Sequence, residues 1–341
     1  IVRILSDGAI LDALNTDRTN IRTEFLFLNA STTIGADDNS LDIDLDQSGE
    51  VRAESDDSIY LNETLGDLHV DRIISGSGDA HLKAASSILG QPDDIAADVL
   101  AASIVLYASN GTIGSPGDDF DIDTLGGTLN SYSKHNAYLI EVSGDLRLDT
   151  VQTDPLRTAY ILAPQSIVDA NDDASNVEGG ATRLYAGKDI GAESDPLETT
   201  VGRLAGYSSA GAAWIQNNGP LNVTSVGDTS GVQADGPVDI TASSPITVDQ
   251  NITTAGSITL TASDSTIAGD DLTIRPGVTI ESTNSSVLLR AGDDMLLEAG
   301  ATILAATAIE IFGDYGNVDP GVGSLIELNG ALSAPLLMVE G

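Results

Sequence analysis

Three stretches of this chain follow one template. "TIGADDNSLDIDL" from Thr33, "TIGSPGDDFDIDTL" from Thr112 and "DIGAESDPLETTV" from Asp189 align on Ile34-Gly35, Ile113-Gly114 and Ile190-Gly191, which lie 79 and 77 positions apart. In each, the first strand residue (Leu41, Phe120 or Leu197) falls seven places after the Ile. Two later landmarks keep the register: "IYLNE" (Ile59), "AYLIE" (Ala137) and "AWIQN" (Ala213), then "GDLHVDRI" (Gly66), "GDLRLDTV" (Gly144) and "GPLNVTSV" (Gly219). A long internal repeat limits the fold more than any single motif does, because repeats of this kind stack on their neighbours.

A fourth landmark, "AILDA" (Ala9), "SILGQ" (Ser87), "SIVDA" (Ser166) and "TIAGD" (Thr266), steps by 78, 79 and then 100 positions. The longer last step suggests that structure is added in units of about 20 residues. A similar spacing governs most of the C-terminal third, where "VDITA", "SITLTA", "SVLLRA", "AIEIFG" and "LIELNG" recur. Each alternates aliphatic with polar residues between Gly, Asp, Asn or Ser, the pattern of short strands joined by turns. Long helical periodicity is absent. The best helical candidate is "DDIAADVLAAS" (Asp93 to Ser103), although its neighbours align with strands in other copies.

A unit of roughly 20 residues holding two or three short strands is what one coil of a parallel β-helix requires. Alternate residues then point into a narrow interior, and aromatics at only 4% suit a core of Ile, Leu, Val and Ala. The expected fold is all-β: a single-stranded parallel β-solenoid, right-handed, one continuous body over 1–341. Its super-repeats of about 78 positions, about four coils each, span 9–86, 87–165 and 166–264, with further coils over 265–341. The alternation puts Leu41, Ile43 and Leu45 inside and leaves Asp42, Asp44 and Asp46 facing solvent. Gly35, Gly114, Gly191 and Gly292 suit coil corners with positive φ. The rival architecture is a row of antiparallel β-sandwich domains. Scarce aromatics and an apparent one-coil insertion count against it.

Composition removes several function classes. With 14 Lys+Arg against 52 Asp+Glu the net charge is −38, which opposes binding to nucleic acid or anionic lipid. Zero cysteines exclude disulfides, thiolate zinc sites and a cysteine nucleophile. No apolar run approaches the roughly 20 residues of a membrane-spanning helix, which argues against membrane insertion. The chain starts without Met and ends inside a strand-like pattern, so it reads as part of a longer protein whose export signal lies elsewhere.

Runs such as "IGAESDPLETTVGRLAGYSSAGAAWIQNNGPLNV" (Ile190 to Val223) and "VTIESTNSSVLLRAGDDMLLEAGATI" (Val278 to Ile303) resemble the repeat regions of giant secreted bacterial proteins of the filamentous-haemagglutinin-like, β-helical adhesin kind. The resemblance covers most of the chain and rests on repeat style. It implies an extracellular or cell-surface fibre or adhesin stalk. Its partners would be further copies or flanking repeats, joined end to end or laterally, and a cell-surface or glycan receptor.

Candidate chemistry centres on the acids. Asp42, Asp44 and Asp46 carry EF-hand-like spacing, but Gln47 stands where that loop needs Gly and Ala53 where it needs Glu. Looser Ca2+ binding is the surviving metal hypothesis, with Asp37, Asp38, Asp42 and Asp44 in one copy and Asp118, Asp119, Asp121 and Asp123 in the next. Paired acids also mark turns at "GDD" from Gly269 and from Gly292. The enzyme alternative is a polysaccharide-active β-helix using a carboxylate pair. Against it, Asp42 matches Asp121 and Glu198, and Glu63 matches Glu141, while Asn217 and Thr200 replace acids in the third copy. Recurring positions with drifting identity suit surface charge better than a singular active site. His69, His81 and His135 show no ligand spacing, and no phosphate loop or nucleophile elbow is present. Tyr60, Tyr138 and Trp214 occupy matched places, as wall residues in preference to a sugar-stacking ladder. The chain is therefore expected to be a non-catalytic structural or adhesive segment with Ca2+ as the one candidate cofactor.

Overall fold

A computed structural model describes residues 1–341 except 14, 15, 17, 93–95, 317 and 320–324. Among the described residues the elements are β-strands, with no helix, and so none is long and apolar enough to cross a membrane as a helix. The chain forms two compact units, Ile1–Pro164 and Gln165–Gly341.

In the first unit one ladder of parallel pairs runs through Ile10, Ile34, Ile59, Ala80, Ile104 and Leu129, one rung per layer. A second runs through Leu68, Ile88, Ile113, Ala137 and Ala159. Parallel partners cannot be joined by a tight hairpin, so each connection travels around the remaining faces before returning one layer on. That circuit is the coil. The second unit repeats the scheme with Ile167, Ile190, Ala213, Val238, Ile258, Val287 and Ile309 on one face. Leu221, Ile246, Leu272 and Met295 line another face, and Val232, Ile252, Ile280 and Ile303 a third.

Side chains obey the two-residue period of strands. Ile59–Glu63 and Val238–Ala242 alternate buried and half-buried positions, and the interior is filled by Ile, Leu, Val and Ala, with Phe120 the bulkiest fully buried side chain. β-branched residues fit this environment because successive layers lie only about 4.8 Å apart and identical side chains nest. Leu41, Ile43 and Leu45 are inside, as their alternation indicates.

Several expectations change. Coils run nearer 23 residues per turn than the expected 20, and the 79-position step is not four coils. From Ile34 three layers lead to Ile104, and Ile113 lies nine positions further, on the adjacent ladder. The step is thus three coils plus one face. Nor is "TIAGD" a ladder element: Ile267 is 75% exposed in the loop between Ile258–Ala262 and Leu272–Ile274, whereas Ile10, Ile88 and Ile167 are buried. The longer last step does contain one more coil, as expected: four layers lead from Ile167 to Ile258, against three from Ile88 to Ala159, and Ile267 follows nine positions after Ile258. In the helical candidate, Asp93, Asp94 and Ile95 lie outside the described residues, and Val99–Leu100 is a strand paired to Ile122 and Asp123.

Truncating one rung should open a cavity that two neighbouring layers cannot close. Leu289→Ala is expected to cost about 2–5 kcal/mol in urea unfolding, whereas Thr259→Ala on the outer side should change stability by less than about 1 kcal/mol.

Candidate functional site

The repeated template is a decorated strand. Ile34 pairs with Ile59 and Leu41 with Leu61, so seven steps in one coil match two in the next. The surplus leaves the strand as a tight hairpin closed by reciprocal bonds of 3.0 Å between Ala36 and Asn39. Ser115 with Asp118 and Ala192 with Asp195 close the same hairpin at 2.8 and 3.1 Å. The chain can depart so sharply only through Gly35, Gly114 and Gly191, at φ of 69°, 64° and 64°. An added Cβ there would also sit 2.3, 2.6 and 2.4 Å from the carbonyl oxygens of Tyr60, Tyr138 and Trp214. These glycines mark hairpin departures from mid-strand, not coil corners. Gly292 has a different reason, since a Cβ would lie 2.6 Å from Asp264 Cα of the preceding coil.

Two of the matched aromatics, Tyr60 and Tyr138, act as wall residues. Tyr138 stacks on Tyr160 of the next coil at 4.7 Å between centroids, and Tyr60 meets His81 edge-on at 4.7 Å. These rings are thus engaged by neighbouring layers.

Asp42 and Asp44 do not face open solvent; they are only 5% and 6% exposed, and Asp46 alone of the alternating three is exposed. They point outward, but side chains from the coils before and after close over them. Asn62 Nδ2 donates to Asp42 Oδ1 at 2.6 Å, and the Arg22 guanidinium pairs with Asp44. A reciprocal pair recurs every 78 positions: Asn20, Asp98 and Asn176 each donate their main-chain N–H to the carbonyl of Asp42, Asp121 or Glu198 and accept that residue's N–H on a side-chain oxygen, at 2.8–2.9 Å.

The position shared by Glu63, Glu141 and Asn217 is buried as well, at 0%, 1% and 0% exposure, and so is not surface charge. Glu63 accepts main-chain N–H bonds from Leu45, Leu65 and Gly66; burial still pushes its pKa up against them. Glu141 accepts from Thr124 N at 3.3 Å, and burial raises its pKa to about 8. Asn217 meets the same need without charge, accepting from Val201 N and Thr199 Oγ1 and donating to the Gly219 carbonyl. In the third copy Glu198 is raised to about 7, first by burial and then by the charges of Asp169, Asp195 and Asp173.

The residues singled out for Ca2+ are spread over several roles. Asp37 and Asp38 lie exposed on the first hairpin, with Asp37 Oδ1 3.7 Å from His81 Nδ1. On the second hairpin Asp118 and Asp119 are both half-buried. Asp123 accepts from Leu125 N and Ser143 Oγ, while Asp121 belongs to the reciprocal pair with Asp98. Among the described residues, the carboxylates whose oxygens converge within 4.8 Å are instead Asp264, Asp293 and Asp319. The "GDD" motif marks the Asp293 turn in the sequence, but no local signal shows that Asp264 and Asp319, from turns of other coils, reach it.

No family model, curated protein or solved structure matches this chain.

Glu141 gives an inverted pH dependence. Its folded pKa lies above the unfolded value of 4.5, so between that pH and about 8 the native state holds the extra proton and stability falls as pH rises. Glu141→Gln should flatten this slope and raise the melting temperature at pH 8 more than at pH 4.5. Gly191→Ala should instead destabilise at every pH, by roughly 1–3 kcal/mol.

Proposed function

We propose that the chain is a non-catalytic structural and adhesive segment of an extracellular bacterial surface fibre. The observation that carries this reading is the register of the second unit's coils: Val238, Ile258, Val287 and Ile309 follow one another as buried apolar rungs, with polar residues such as Asp239, Thr259 and Glu310 between them on the outer side. A stack of this kind extends by adding layers, because each layer offers the next a row of main-chain donors and acceptors beside apolar rungs. A further coil of the same protein, a flanking repeat or a second copy supplies such a layer. A net charge of −38 disfavours indiscriminate lateral clumping and suits a surface exposed to a salty medium. The outer faces, built of half-buried polar residues on a repeating backbone, would present any receptor or glycan contacts.

Buried carboxylates do not support the glycosidase alternative. Glu141 is almost wholly enclosed and both its oxygens face the Thr124 amide, so its raised pKa reflects packing within the coil. In analytical ultracentrifugation the chain is expected to associate with rising concentration. An unchanged monomer at all concentrations would remove the support for assembly. Labelling of intact, unpermeabilised cells of the source organism by antibodies against the chain tests the surface location directly.

A further inference from the structure

The strands Ile258–Ala262, Val287–Ala291 and Ala308–Phe312 pair in register, so the turns that leave them stack at one corner of three successive coils. Each turn contributes one carboxylate to the same point: Asp264, Asp293 and Asp319. Asp293 is the innermost, 2% exposed. Its Oδ2 accepts the N–H groups of Gly269 and Asp270, whereas its Oδ1, shielded from solvent, has no donor. Asp264 accepts the Val318 N–H on Oδ2 and likewise has a shielded Oδ1 without a donor, as does Asp319.

Buried carboxylate oxygens lacking a donor are costly, and three carboxylates this close repel one another. Among the described residues no Lys, Arg or His forms an ion pair with any of the three.

We infer that Asp264, Asp293 and Asp319 bind one Ca2+ ion that ties three successive coils together at this corner. The donor set is all oxygen, which suits a hard cation and not zinc. Oxygens each about 2.3–2.6 Å from one ion stand at most about 5 Å apart, which matches the 4.8 Å limit within which these three lie. Ca2+ tolerates the irregular geometry of three separate turns, completing six to eight ligands with carbonyls and water. Mg2+ is less suited because it demands a near-ideal octahedron at about 2.0–2.1 Å. The ion would replace carboxylate repulsion with attraction and fix the turn carrying Asp319 to the layers before it.

The test uses the full chain after chelation. Calorimetric titration with CaCl2 should show one more equivalent bound by the parent than by Asp319→Asn, which lies in a turn outside the apolar ladders. Hydrogen exchange at 264–270 and at Asp314, Tyr315, Gly316, Val318 and Asp319 should slow with CaCl2 in the parent but not in Asp319→Asn, and MgCl2 or NaCl at matched ionic strength should not reproduce the effect. Equal stoichiometry and equal protection in parent and Asp319→Asn would overturn the inference, as would full replacement of Ca2+ by Na+ or Mg2+. Asp264→Asn supplies an independent second variant with the same expected loss.

Discussion

Parallel main-chain pairing between one layer and the next is the constraint from which the rest follows. Because Val238 must meet Ile258 and Ile258 must meet Val287, every inward residue is held against its counterpart one layer away. The interior therefore accepts a narrow range of sizes and shapes, while the connections between rungs may lengthen freely. The stretch from Ile258 to Val287 is nearly half as long again as that from Val238 to Ile258, yet the rungs remain aligned. Length variation is expelled outward, into hairpins such as 36–40 and loops such as 263–271.

The buried position shared by Glu63, Glu141 and Asn217 follows from the same pairing. Where the pairing to the next coil breaks off, main-chain amides such as those of Leu45, Thr124 and Val201 lose their layer partner, and a side-chain oxygen from the next coil accepts them. A carboxylate and an amide both satisfy that demand. They differ in cost: enclosing Glu141 ties its stability to proton uptake, whereas Asn217 supplies an acceptor with no charge to desolvate.

Strand alternation is legible in the sequence because it is local. Leu41, Ile43 and Leu45 fall inside for reasons contained in a few residues, and so do the glycines that the hairpins require. Depth of burial on the outer side is not legible, since Asp42 and Asp44 are covered by Asn62 and Arg22, which belong to neighbouring layers. Coil length is obscured for a related reason: repeats aligned by identity report the recurrence of a hairpin, and the hairpin recurs on a different ladder. Ile267 resembles Ile88 in its flanking residues, but it lacks a rung to pair with. The convergence of Asp264, Asp293 and Asp319 depends wholly on stacking, so only the fold reveals it.

In the first unit, the step from Ile34 to Ile113 advances three layers and one face, so the two hairpins do not point in the same direction. Sequence period and structural period are out of phase, like two gears with different tooth counts. A flat partner approaching this unit from one side would meet a single hairpin, and engaging both would require it to wrap around the stack. Repetition here thus sets the same motif on two adjacent faces instead of lining it up along one.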